Sequence, residues 1–165
     1  YRLEDIEAHL RLARRGVELN PNSLEAQFML GFASYAMGHT TDAIAVIGRL
    51  DCLAPHDKYR VTALQILGVC LCLEGEPAAA EAALDRSLAL DPSYGVALKW
   101  KAIVLAQQGR EEEAKATIMQ LREAEPGSSF DNHVHATVTN PHLLERGAEA
   151  MATLRRLWDA TGGDG

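Results

Sequence analysis

A sequence that repeats itself at a fixed interval is constrained to fold as a stack, because each unit buries its apolar face only against a neighbouring copy. Three segments of this chain share one order of landmarks: a Leu-Gly or smaller equivalent, a Gly seven residues on, an Ala five after that, and a Pro twelve further. In residues 24–57 these are Leu30-Gly31, Gly38, Ala43 and Pro55. In 61–94 they are Leu67-Gly68, Gly75, Ala80 and Pro92, and in 95–128 they are Ala102, Gly109, Ala114 and Pro126. Residues 5–23 read as the second half of a further copy, ending in Leu19-Asn20-Pro21-Asn22. The interval is 34 residues, with a three-residue insertion around Tyr59 between the first two full copies.

Each landmark has a physical task in a helix-turn-helix unit. The middle Gly closes the first helix, where a left-handed residue is needed. The small residues at the Gly31 and Ala43 positions let two helix backbones approach closely. The closing Pro ends the second helix, having no N–H to continue its ladder. Ala and Leu fill 48 of the 165 positions against 14 for Val and Ile, a balance that favours helix over sheet. The spacing predicts helices near 3–19, 23–37, 40–53, 58–73, 77–90, 93–108, 111–124 and 142–159. Residues 129–141 carry no helical period and are expected to cross irregularly. The apolar stripe of 142–159 (Leu143, Leu144, Ala148, Met151, Leu154, Leu157 and Trp158) is expected to cap the open stack, or else to pair with a second chain. Residues 160–165 are expected to form a disordered tail.

These landmarks resemble the tetratricopeptide repeat over residues 5–128. The resemblance implies an all-α, right-handed superhelical stack over residues 1–128. It also implies an inner groove lined by the first helix of each unit. Glu25, Phe28, Phe32 and Tyr35 would line it in the first full copy. Thr62, Gln65, Val69 and Cys72 would follow in the second, and Val96, Lys99, Ile103 and Ala106 in the third. The sequence departs from the pattern at Gln27, Leu64 and Leu98, where a large aromatic is common, and at Lys101, where Leu is expected. Chaperone-binding members clamp a terminal carboxylate with basic inner residues; Lys99 is the only cation in this set, which argues against such a clamp.

The expected function is protein–protein interaction without catalysis. The candidate groove residues for an apolar or amphipathic partner segment are Phe28, Phe32, Tyr35, Gln65, Val69, Lys99 and Ile103. Three readings stand for the aromatics: they open to a partner, they fill core space, or the chain's own C-terminal segment covers them. The partner is a protein or peptide segment, another domain of the same chain included. A homodimer through terminal helices is the alternative. More distantly, "LARRGVELNP" and a Leu- and Arg-rich ending are similar to the repeat region closing some bacterial class III nucleotidyl cyclases and winged-helix regulators. This implies the C-terminal arm of a larger bacterial signalling protein.

Other chemistries find little support. A net charge of −7 disfavours binding to nucleic acid or an anionic membrane surface. No apolar run is long enough for a membrane span. Three cysteines cannot form a closed disulfide set, which suggests a reducing, cytoplasmic setting. His133, His135 and His142 lack a nearby Cys and read as solvated loop residues rather than metal ligands. The Glu111-Glu112-Glu113 run suits a helix N-terminus. No phosphate loop, nucleophile elbow or zinc-protease pair occurs, so neither cofactor nor catalytic residue is expected.

Overall fold

A computed structural model describes residues 3–53, 59–127 and 141–162, with side chains over 5–50, 59–127 and 147–162. Eight helices and no strand occur among the described residues: α1 (Leu3–Leu19), α2 (Leu24–Ala36), α3 (Thr40–Leu53), α4 (Arg60–Leu73), α5 (Pro77–Leu90), α6 (Gly95–Gln107), α7 (Glu111–Ala124) and α8 (Pro141–Ala160). Each helix from α1 to α7 packs on the next, and α8 packs on α6 and α7. The expectations for residues 129–140, for Leu143, Leu144 and the three histidines, and for residues 163–165 lie outside the described residues or side chains.

The landmarks act as their chemistry requires. Gly38, Gly75 and Gly109 take φ of 79°, 81° and 77°, turning the chain between the helices of each pair. Gly31 and Gly68 stand where the pairs cross. A Cβ on Gly31 would meet Ile47 Cδ1 at 2.5 Å, and one on Gly68 would meet Leu84 Cγ at 2.6 Å. The Ser23 hydroxyl caps α2 by accepting the Ala26 N–H at 3.2 Å. Pro77 opens α5 at a position that needs no N–H. Lys101, the departure from the apolar pattern, stays half-buried and reaches out to Asp85 Oδ1 at 2.6 Å on α5.

Two apolar clusters run through the stack. Phe28, Ala43, Ile47, Leu50, Ala63, Ile66 and Cys70 form the first, around α2, α3 and α4. The larger one joins Leu84, Trp100, Ile103, Leu105, Ile118 and Leu121 to Leu154, Leu157 and Trp158 of α8. Polar straps cross the repeat boundaries. Arg110 donates to Glu81 Oε1 at 2.7 Å and to Glu113 Oε2 at 2.6 Å, and its guanidinium holds both carboxyls below their usual range. Thr40 donates to Glu74, and Arg156 to Glu111.

Residues 160–162, expected in a disordered tail, are held in place instead. The Arg122 guanidinium lies 4.0 Å over the Trp158 ring and donates to the Trp158 carbonyl at 3.0 Å and the Gly162 carbonyl at 3.1 Å. The Thr161 hydroxyl adds a bond to the Leu157 carbonyl at 3.0 Å. A basic side chain on the last carbonyls of a helix satisfies acceptors that the ladder leaves open.

Candidate functional site

The first helix of each repeat presents one stripe inward, and the three stripes differ. On α2 the stripe is Glu25, Phe28, Phe32 and Tyr35, brought to one side by spacings of three and four. Phe32 is 37% exposed. Its ring centroid lies 6.4 Å from that of Phe28. Phe28 is buried on its other side by Tyr59, the two rings stacking at 4.4 Å with 13° between their planes. The Tyr59 hydroxyl donates to Glu25 Oε1 at 3.3 Å, fixing a carboxylate at the edge of the stack. Tyr35, half-buried, packs against both clusters, and burial pushes its phenol above the usual range. Met29, on the neighbouring turn, is as exposed as Phe32.

On α4 and α6 the positions equivalent to Phe28 and Phe32 are closed. Gln65 is 5% exposed, Val69 0%, Lys99 1% and Ile103 0%. Val69 and Ile103 belong to the cluster that includes Leu154, Leu157 and Trp158 of α8, so core packing occupies what the sequence offered as groove lining. These four residues therefore present no side-chain surface to a partner. Burial pushes the Lys99 ammonium down to about 8, opposed by the negative charge of Glu125. Glu125 leans against bare backbone: a Cβ on Gly95 would meet its Oε1 at 1.7 Å. Cys72 is also buried; its thiol donates to Gln107 Oε1 at 3.4 Å, and burial pushes it up to about 11. It is held as a thiol, not a nucleophilic thiolate.

Of the seven candidate residues, the structure thus keeps Phe28, Phe32 and Tyr35 together at one end of the inner face and withdraws Gln65, Val69, Lys99 and Ile103 into the interior. Tyr59 is the neighbour of this stripe that the repeat pattern did not place. It sits in the insertion, where no repeat position predicts its direction. The available signal was an aromatic in that insertion, next to an aromatic-rich first copy. Among the described residues no three His, Cys, Asp or Glu side chains converge as a metal site would require, and no helix is long and apolar enough to cross a membrane. The arrangement offers a surface for contact: an open aromatic ledge with one carboxylate at its rim.

Comparison with known proteins gives the same architecture. Residues 71–139 match the family described as tetratricopeptide repeat. A crystal structure of MamA superposes with a TM-score of 0.68 at 20% identity, covering 95% of this chain and 91% of that one. A second MamA structure gives 0.67 at 22% identity, over 94% of this chain and 82% of that one. YrrB, described as a tetratricopeptide-repeat protein with an unusual peptide-binding site, gives 0.63 at 19% identity over 92% and 79%. Likeness at these identities is one of fold. No curated protein sequence matches this chain.

Proposed function

We propose, from the premise that this chain is built of tetratricopeptide-type repeats, that it is a non-catalytic interaction module. It binds an apolar or amphipathic protein segment on the first-repeat end of its inner face. The observation that carries this reading is the exposure of Phe32 beside the Phe28–Tyr59 stack, where the same position in the next two repeats, Val69 and Ile103, is buried. A half-exposed aromatic on a rigid helix supplies contact area at little entropic cost, as interface anchors do. The description of YrrB as a peptide binder supports the same use of the fold. A phage-displayed peptide library, selected on the full chain and counter-screened on Phe32→Ala, tests it. Enriched peptides should bind the native chain and lose tenfold or more on the variant; peptides that hold both equally would overturn the reading.

Self-association is a second reading, and Leu12 and Leu19 favour it: both lie on α1 and are about 70% exposed. The last helix gives it no support, because Leu154 and Leu157 are spent inside the protomer. Light scattering across a concentration series on native and Leu12→Lys chains separates the two readings. We further place the module as the C-terminal arm of a larger bacterial signalling protein of the nucleotidyl cyclase or winged-helix regulator kind, in a reducing cytoplasm where Cys70 and Cys72 remain thiols. That placement rests on the Leu12–Pro21 segment and the Leu- and Arg-rich ending. The intact mass of the native gene product decides it: a mass near 17.9 kDa would overturn it.

A further inference from the structure

We infer that the ledge selects a basic-apolar segment, in which a Lys or Arg stands about 10 Å from an apolar anchor. The inference rests on the groove reading above and adds the chemistry of the occupant. Glu25, Phe28 and Phe32 lie at i, i+3 and i+7, so the carboxylate and the open ring are about 10 Å apart along α2. Glu25 is exposed, and the Tyr59 hydroxyl holds one of its oxygens at the edge of the Phe28–Tyr59 stack. A cation placed there meets a carboxylate oxygen beside the Tyr59 hydroxyl, with the open Phe32 ring further along the helix. An acidic side chain placed there meets the same groups with the wrong sign.

Among the described stripe residues, no exposed cation offsets this polarity. The positions equivalent to Glu25 are Thr62 and Val96, both uncharged. Lys99, the one inner-stripe cation, is buried and faces Glu125. Arg60, beside Tyr59, is half-buried and already engaged by the protein. The net charge of −7 adds long-range attraction of the same sign. The 10 Å separation sets the spacing in the ligand: about seven residues if it binds as a helix, about three if it binds extended.

Two fluorescein-labelled amphipathic peptides with identical apolar faces, one carrying Lys and the other Glu at every polar position, test this by anisotropy on the full chain. The Lys probe should bind about tenfold tighter at low salt, with the gap narrowing as salt rises. Glu25→Lys should abolish or invert the preference. Glu123→Lys, the same charge change on the exposed surface of α7, should leave it in place. Equal binding of both probes to the native chain, or a preference that survives Glu25→Lys, overturns the inference while the groove reading stands. Binding of neither probe, or binding of both unchanged by Phe32→Ala, removes the groove reading and the inference with it.

Discussion

The first repeat and the two after it use one helix position to opposite ends. At the fifth and ninth positions the first repeat has Phe28, which is buried, and Phe32, which is 37% exposed. The same positions in the second and third repeats hold Gln65, Val69, Lys99 and Ile103, all buried. Each repeat carries this position on its first helix; what differs is how far packing buries it. An inner helix face is therefore a position in a stack, and becomes a recognition surface only where packing leaves it open. The polar members show what closure does to a side chain: burial depresses the ionisation of Lys99, and that lysine belongs to the interior as fully as Ile103.

The comparison breaks most sharply at α8. Trp158 is 1% exposed within the cluster that includes Ile103, so Trp158→Ala should cost about 3–5 kcal/mol in urea unfolding. A loss below about 1 kcal/mol would mean that the second and third repeats are not closed by core packing.

A medium effect tests the buried lysine. Its pKa lies at about 8 in the folded chain and near 10.5 unfolded. Between these values the unfolded chain binds the proton and the folded chain does not, so the stability this group contributes rises with pH across that window. Cys72 and Tyr35, whose folded values are raised, act in the opposite direction above about pH 9–10. The difference between native and Lys99→Met chains isolates the lysine. The variant's advantage should shrink by about 2 kcal/mol from pH 7.5 to 9.5; a flat difference would place Lys99 in water.

The smallest effect sharpens the other side. Phe32→Ala should change stability by less than about 1 kcal/mol, because much of the ring is already in water. A cost equal to that of Trp158→Ala would make the ledge core and erase the contrast between the repeats.

Sequence carries the two faces unequally. The helix pairs are legible because Gly38, Gly75 and Gly109, the small crossing residues and the closing prolines each do one local task, repeated at one interval. The aromatic stripe of α2 is legible for the same reason: Phe28, Phe32 and Tyr35 recur at helical spacing. The closure of Val69 and Ile103 is not legible, because both lie in a cluster drawn from several helices, and one of these, α8, follows no repeat period. Nor is the direction of Tyr59, whose place in the insertion is set by its stack on Phe28 and its bond to Glu25. Position within a repeat can be read along the chain, whereas neighbours brought by insertions and caps cannot.

The Arg122 contact at the far end has a consequence for how this stack comes apart. Linear arrays loosen from their termini, where a unit has one neighbour instead of two. At the C-terminal end, one guanidinium pins both the Trp158 ring and the final carbonyls to α7. At the other end, Ile6, Leu10 and Ala13 of α1 are buried, and α1 packs on α2. The ledge on α2 lies away from that pin, on a helix packed between α1 and α3. A segment lying across Phe32 and Tyr59 would bridge α2 to the start of α4 and act as a removable fastener between them. Occupancy would register as slowed amide exchange in α2, with α6 and α7 keeping the same rates bound or free.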